Sequence, residues 1–538
     1  MKNRHIFLFI VLTAVLLSLP FYRNFSGIVL FIAWIPLLFV EDHLTRHKEK
    51  YRSGRVFLLG WLTFLIWNLL TIYWIKNATL AGAIAALIIN SFFMALTFWL
   101  IHLAHRVLGE RFGHFAFLMI WVAYEHFYLN FQVDFPWLLL GNGFAKDVQL
   151  IQWYEYTGAL GGTLWVLFVN LLIFLIFRHY LRTGSLREKT FELVVLILIL
   201  VVPITYSLIR FYTYKDTGRP VEVVVVQPNI DPYNDKFSGL SEYEQVSIML
   251  HLADSLVTPA TDYLVLPETA INNNLWEDSL MKSRSIRRFT ALVRRHPRLK
   301  IITGATTWKA YLTLTPPTPT ASRSHRFNGY YDIFNAALQI DSSGVIQTYH
   351  KSKLVVGVET MPYPAFFNKV LGGVLIRLGG TTGSFGTQVE RTPLVSSDSS
   401  LRVGVAICYE SIFGDYITRY VRNGANLLFI ITNDGWWGNT PGYKQHMNFA
   451  RLRAIENRRS IARSANTGLS CFINQRGEAS QITGWWMPAV IRGTIRANDK
   501  MTFYSQHGDY IGRVSDFMTV MIMLYIISAL LMKKKKRT

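Results

Sequence analysis

The chain has 538 residues, 51% of them hydrophobic and 17% charged, with a mean hydropathy of +0.24; ordinary soluble domains carry about 25% charged residues, so a single soluble enzyme is excluded. A net charge of +21, from 55 Lys and Arg against 34 Asp and Glu, comes without a DNA- or RNA-binding signature, so acidic lipid surfaces rather than nucleic acid are the expected partner. Cys408 and Cys471 are too few for a disulfide framework and have no metal-ligand spacing.

Lys2 and Arg4 precede an uncharged run from Ile6 to Tyr22. It ends in Ser18-Leu19-Pro20-Phe21 rather than a small-residue cleavage site, and it is expected to be retained as a helix. Uncharged runs follow at Asn24–Val40, Val56–Ile75, Asn77–Ile101, Tyr156–Phe177 and Leu193–Ile209, each near the ~17–25 residues that cross a bilayer core. Phe115–Val133 is a weaker candidate because Glu125 and His126 interrupt it, and Phe517–Met532 closes the set at about eight transmembrane helices.

Short loops rich in Lys and Arg stay in the cytoplasm. The segment 41–55 holds Arg46, Lys48, Lys50, Arg52 and Arg55; 102–114 holds Arg106 and Arg111; 178–189 holds Arg178, Arg182, Arg187 and Lys189. With these inside, both termini are expected to be cytoplasmic, including the basic tail Lys533–Arg537, and the aromatic-rich connection 125–155 falls outside. The expected division is 1–212 for seven spans, 213–512 for an extracytoplasmic domain, and 513–538 for the last helix and tail.

From Val221 the pattern changes to short β-branched runs bounded by turn residues, at Val221–Val226, Tyr263–Leu266, Lys300–Thr303, Phe334–Ile340, Val403–Ile407, Leu427–Thr432 and Ser470–Ile473. Such runs read as buried strands. Helical patterns lie between them at 241–256, 281–296, 411–422 and 443–459, which gives an α/β domain with helices covering a sheet. Thr313–Arg323 is too Pro-rich to continue either element and is expected to be an exposed loop.

Three strand ends carry chemistry. One reads Leu266-Pro267-Glu268-Thr269, a second Tyr349-His350-Lys351, and a third Ile407-Cys408-Tyr409-Glu410. A thiol where an apolar strand turns into a helix sees the positive end of the helix dipole, which lowers its pKa, and free backbone N–H groups offer an oxyanion site. Glu268 could accept the thiol proton and Lys351 could stabilise an oxyanion. Read singly, each has an ordinary alternative: Cys408 as a buried small hydrophobe, Glu268 as a turn carboxylate, Lys351 as a solvated cation. Cys471, within an apolar strand pattern, reads as core; His350 and His446 could be proposed as bases, but nothing in the sequence places an acid partner beside them.

The ordered set Glu268, Lys351, Cys408, at spacings of 83 and 57 residues, resembles the Glu-Lys-Cys triad of the nitrilase, or carbon-nitrogen hydrolase, superfamily. Together with the flanking spans, the chain resembles the apolipoprotein N-acyltransferase family over nearly its whole length. Further matching positions are Gln227-Pro228-Asn229-Ile230, Glu359 eight residues after Lys351, Thr432-Asn433-Asp434-Gly435-Trp436-Trp437 and Asn466-Thr467-Gly468. Two positions depart: Leu354-Val355-Val356-Gly357-Val358-Glu359 replaces the usual Leu-Val-Pro-Phe-Gly-Glu, and Phe237 stands where a tryptophan is usual.

The resemblance implies an α-helical integral membrane protein carrying an extracytoplasmic αββα sandwich. It implies Glu268 as general base, Lys351 as oxyanion stabiliser and Cys408 as nucleophile, with Glu359 and Glu410 as supporting carboxylates that orient Lys351 and the base, and Tyr409 lining the site. It also implies transfer of a fatty acyl chain from a phospholipid to diacylglyceryl-modified apolipoproteins in the bacterial inner membrane, by a monomer with no metal or organic cofactor. Phe237, Trp436 and Trp437 are expected to contact substrate, Trp485 and Trp486 either acyl chains or the domain edge, and 364–379 to form either an interfacial lid or a core helix. Rival readings are a membrane-tethered amidase and a transporter with a non-catalytic outer domain. A His-x4-Asp glycerolipid acyltransferase is excluded, since none of the 14 histidines has Asp five residues on.

Overall fold

The computed structural model describes residues 1–236, 239–361 and 384–535. They form two compact units, one from 1–76, 82–213 and the segment after Gln506, the other from 77–81 and 214–506. Among the described residues seven helices are long and apolar enough to cross a membrane: Asn3–Phe21, Gly27–Arg46, Gly54–Asn77, Leu80–Leu108, Tyr154–Thr183, Arg187–Thr213 and Tyr510–Met532.

The weak span expected at 115–133 is a helix, Glu110–Asn130. It falls short of the apolarity of the other seven because Glu110, Arg111, His114, Glu125 and His126 dilute it. Its buried face carries Phe117, Ile120 and Trp121, with Trp121 edge-on to Trp34 at 4.4 Å. Glu125 is buried and fully engaged: Oε1 accepts from Trp121 Nε1 and the Leu140 amide, both at 3.1 Å, and Oε2 accepts from Thr163 Oγ1 at 2.5 Å. Satisfying a buried carboxylate this way avoids a penalty of several kcal/mol (roughly 2–7 for a polar group left bare). It also ties the 3₁₀ turn Leu140–Phe144 to the helix Tyr154–Thr183. The C-terminal helix lies along Glu110–Asn130, where Asp516 pairs with His126 Nδ1 at 2.7 Å.

The second unit contains two sheets. The strands in chain order are β1 (Arg219–Gln227), β2 (Tyr263–Val265), β3 (Ile271–Trp276), β4 (Lys300–Tyr311), β5 (Ser322–Arg323), β6 (Tyr330–Ile340), β7 (Gln347–His350), β8 (Leu394–Val395), β9 (Arg402–Ile407), β10 (Leu427–Thr432), β11 (Ile461–Ala465), β12 (Cys471–Ile473), β13 (Ala479–Ser480) and β14 (Ala489–Ala497). The first sheet runs β14-β1-β2-β4-β6-β5, with β3 on β4 and β7 on β6; the second runs β13-β12-β11-β10-β9-β8. Their centres, β1-β2-β4 and β9-β10-β11, are parallel.

Parallel strands are buried on both faces, which is why Val223–Val226 and Leu427–Thr432 are continuous apolar runs with no polar alternation. The inner faces meet through Tyr263 and Phe429, whose rings are 5.2 Å apart. Helices Glu242–Asp254 and Arg284–Arg295 cover the first sheet. The latter buries Ile286, Phe289, Leu292 and Val293 on one stripe and turns Arg287, Arg288, Arg294 and Arg295 outward, the spacing of an amphipathic helix. Ser283 and Ser241 cap the two N-termini. Helices Gly414–Arg422 and Pro441–Asn457 cover the second sheet.

The strand and helix runs read from the sequence are present, most within a few residues, though the one at Lys300–Thr303 continues to Tyr311; Thr313–Arg323 is largely exposed, and Ser322 and Arg323 pair with β6. Strands β3, β7, β8, β11, β13 and β14 are additional: β8 and β13 are only two residues long, and the other four carry polar or charged residues that break an apolar run, as Arg463 does in β11.

Candidate active site

Glu268 leaves the end of β2, and its backbone is set by a close approach. A Cβ on Gly304 would lie 2.5 Å from the Thr269 nitrogen and 2.6 Å from Glu268 Cα, so only glycine lets β4 pass under this turn, and the Gly304 amide donates to Pro267 O at 3.1 Å. Thr269 then adopts φ +48°, a left-handed conformation uncommon outside glycine.

Lys351 leaves the end of β7 with 1% exposure. Its Nζ donates to Glu268 Oε1 at 3.0 Å and to Glu359 Oε1 at 2.8 Å. Asn335, on β6, spans the same two carboxylates: its Nδ2 donates to Glu268 Oε1 at 2.8 Å and Glu359 Oε1 at 3.0 Å, while its carbonyl accepts the Lys351 amide at 2.8 Å. The altered turn before Glu359 still closes, because Gly357 takes φ +81° and donates to Thr360 O at 2.8 Å. Glu359 Oε2 accepts from the Val355 amide at 2.9 Å.

Burial pushes the Glu268 carboxyl up, but the Lys351 ammonium, the Asn335 amide and the charge of Lys236 together outweigh it, and the carboxyl is held below its usual range. Burial would likewise strip Lys351 of its proton; Glu268 and Glu359 prevail and hold it well above the ordinary lysine value. Glu268 is therefore a carboxylate and Lys351 an ammonium at neutral pH. A second buried cation adjoins them: Lys236, 2% exposed, donates to Glu268 O at 3.0 Å, and burial pushes it down to about 8.

Cys408 follows directly on β9, at φ +51°. The helix expected to begin there is a single 3₁₀ turn, Cys408–Ile412, and the α-helix starts only at Gly414. The expected depression of the thiol pKa is accordingly not found. Burial and the Glu268 carboxylate raise it, and the opposing pull of Lys351 is smaller. At rest Cys408 is thus a neutral thiol within the electrostatic reach of an ionised Glu268.

Among the described residues Glu410 is bonded to the chain on either side of the site rather than to the Lys351 ammonium. Fully buried, it accepts from the Ser352 amide at 2.7 Å and Tyr349 Oη at 2.8 Å through Oε1, and from the Ile407 amide at 2.8 Å through Oε2. It therefore ties the chain beside Lys351 to the chain beside Cys408. Tyr409 is buried with its ring 5.2 Å from Phe413. Trp436 and Trp437 are half-buried, 5.2 Å from Tyr233 and 5.4 Å from His446 respectively. Trp485 stacks on Tyr443 at 4.0 Å while Trp486 is exposed. Phe237 and 364–379 lie outside the described residues. Cys471 is fully buried in β12, where burial pushes its thiol up to about 11.

Both histidines have acid partners after all. Glu277 pairs with His350 and Asp434 with His446. The matching motifs also meet in space: the Asn466 amide group donates to Ile230 O at 2.7 Å and to Asn433 Oδ1 at 3.2 Å, and Gln227 Oε1 accepts from Ser470. Asn335 had no signal in the sequence beyond an Asn inside an apolar strand.

Residues 223–500, over half the chain, match the family described as carbon-nitrogen hydrolase, and the chain belongs to that family. Residues 13–172 match the apolipoprotein N-acyltransferase N-terminal domain. The chain is similar to an apolipoprotein N-acyltransferase of Chlorobaculum tepidum, 29% identical over 90% of this chain and 89% of that protein. It is 27% identical to one of Geobacter metallireducens over 94% of this chain and 92% of that protein. A nitrilase-superfamily amidase of Nesterenkonia AN1 aligns with 56% of this chain and 98% of its own, at 13% identity and a TM-score of 0.36.

Proposed function

We propose that this protein is an apolipoprotein N-acyltransferase: it moves a fatty acyl chain from a membrane phospholipid to the α-amino group of the S-diacylglyceryl-cysteine at a lipoprotein N-terminus, through a thioester on Cys408. The observation that carries the reading is the buried Glu268–Lys351–Glu359 ion cluster bearing on Cys408. The apolar helices of the first unit and the names of the relatives supply the membrane and the substrates.

In the first half-reaction Glu268 takes the Cys408 proton as Sγ bonds to the ester carbonyl carbon. Charge develops on the carbonyl oxygen, and Lys351, fixed in place before the reaction, stabilises it with no reorganisation of solvent. Collapse breaks the carbon–oxygen ester bond; the lysophospholipid oxygen takes the proton from Glu268 and leaves. In the second half-reaction the lipoprotein amine attacks the thioester carbonyl, gives its proton to Glu268, and expels Cys408 sulfur, which takes that proton back. Glu359 and Asn335 hold Lys351 and Glu268 in register, and Glu410 holds the two strand ends.

The reading has 213–512 on the periplasmic side of the inner membrane and both termini in the cytoplasm, and the basic short loops at 41–55, 102–114 and 178–189 support it. The test is to incubate purified protein with phospholipid vesicles and a peptide bearing an S-diacylglyceryl-cysteine N-terminus. N-acyl peptide is expected in step with lysophospholipid. Free fatty acid released at the same rate, with or without peptide, would make the protein a membrane-tethered hydrolase instead.

A further inference from the structure

His446, from helix Pro441–Asn457, is fully buried and reaches the carbonyl oxygen of Cys408, with Nε2 3.1 Å away. Nε2 also lies 2.9 Å from Ser411 Oγ, whose single proton goes to the same carbonyl, so Nε2 faces two acceptors and is assigned the proton. Ser411 Oγ donates to the same oxygen at 2.7 Å. Behind the ring, Asp434 Oδ1 lies 2.9 Å from His446 Nδ1; Asp434 is held in turn by Arg463 Nη2 at 2.6 Å and Thr432 Oγ1 at 2.8 Å. His446, Asp434, Arg463, Ser411 and Thr432 are all 0% exposed. Burying an acid, a base and an imidazole in one cluster is costly unless each is paired; here Asp434 and Arg463 pair with each other and with His446, and His446 with Ser411 reaches the peptide carbonyl of a cysteine at φ +51°.

Ser411, His446 and Asp434 share the connectivity of a hydrolytic triad. Two facts argue against that use: the serine hydroxyl is spent on the Cys408 carbonyl, and its 0% exposure gives no acyl group access.

We propose that the Asp434–His446 pair is a positioning device: through the Cys408 carbonyl it holds that residue in its left-handed conformation and so sets where the thiol stands relative to Glu268 and Lys351. The inference rests on Cys408 being the nucleophile. A left-handed backbone is unfavourable for a non-glycine residue, and two donors on its carbonyl are what offsets this cost.

The test uses the full-length protein in detergent with wild type, His446→Gln, His446→Leu and Ser411→Ala. Gln can place an N–H where Nε2 stands; Leu cannot. Two readouts are taken on protein whose unfolding transition remains intact: kcat and KM for acyl transfer, and the rate at which iodoacetamide alkylates Cys408, followed by the mass of its peptide. His446→Leu is expected to lower kcat on the order of 10²-fold, the cost of a displacement of about 1 Å, with KM little changed. His446→Gln should come back to within about tenfold of wild type, the worth of one hydrogen bond, and Cys408 alkylation should follow the same order. A folded His446→Leu protein with wild-type kcat and alkylation overturns the proposal, as does Gln failing to rescue Leu. If His446→Leu does not fold, Ser411→Ala reads the same carbonyl, and an unchanged kcat there is equally contrary. Alkylation that follows the order while no variant, wild type included, transfers an acyl chain would uphold the positioning role and refute the acyl-transfer reading.

Discussion

Replacing Lys351 by Met keeps the length of the side chain and removes its charge. In the native site Nζ lies 3.0 and 2.8 Å from two carboxylates at 1% exposure. Taking one partner from a buried ion cluster costs about 3–5 kcal/mol, because the remaining charges are uncompensated. Glu268 limits that loss by taking up a proton: burial raises its pKa, and Lys351 is the largest influence opposing burial.

The sign of the pH dependence follows. In the wild type Glu268 is depressed, so its contribution to stability is present above the unfolded value of ~4.3 and is lost as pH falls through the lower folded value. In Lys351→Met the carboxyl is raised, and its ionisation opposes folding at neutral pH. The gap in thermal stability between the two proteins should be widest near neutrality and close as pH falls through about 4. Turnover should fall by ~10²–10³, the value of one preorganised oxyanion donor, and the acid limb of the kcat/KM profile should move to higher pH because the base ionises later. Calorimetry and initial rates across pH read both effects. A folded Lys351→Met protein within about threefold of wild-type turnover, against the ~10²–10³ expected, and with an unmoved pH profile, would refute the assignment.

Gly304→Ala should force the Glu268 turn outward, since the new Cβ would stand 2.5–2.6 Å from its backbone; a loss of about 10²-fold in kcat is expected, checked by initial rates, with far-UV circular dichroism unchanged. Cys408→Ser should leave little or no turnover, while Cys471→Ala should retain wild-type rates and lose only about 1 kcal/mol from its vacated volume in a denaturant titration. Asn335→Leu removes the donor shared by Glu268 and Glu359 and should raise the Glu268 pKa, moving the acid limb of kcat/KM in the same direction as Lys351→Met. A reporter enzyme fused after Tyr214 should act outside the cytoplasm and one after Arg182 inside it; the reverse pattern would remove the site from the periplasmic leaflet.

Where the sequence was legible, one physical pattern dominated. Continuous apolar runs such as Val223–Val226 and Leu427–Ile431 are required by strands buried on both faces, and two of the candidate residues, Glu268 and Cys408, lie just beyond such runs, whereas Lys351 follows the polar strand β7. What stayed hidden depends on contacts across the fold. Asn335 sits inside an apolar strand and looks like core until β6 and β7 pair and bring Lys351 beside it. Asp434 and His446 are 12 residues apart, on opposite sides of the turn from β10 to the next helix, and Glu277 lies 73 residues from His350. The direction of the Cys408 shift was misjudged for a related reason. A helix dipole can be read from a sequence, whereas complete burial beside an ionised Glu268 cannot.

The central claim is that Cys408 carries the acyl group between two lipid substrates. Purified protein mixed with a phospholipid of defined acyl composition, quenched in acid, digested and analysed by mass spectrometry tests it most directly. The Cys408 peptide should gain the mass of one fatty acyl group, discharge as the diacylglyceryl peptide is added, and show no gain in Cys408→Ser. An adduct on Cys471, or acyl transfer at full rate with Cys408 unmodified throughout, would contradict the account.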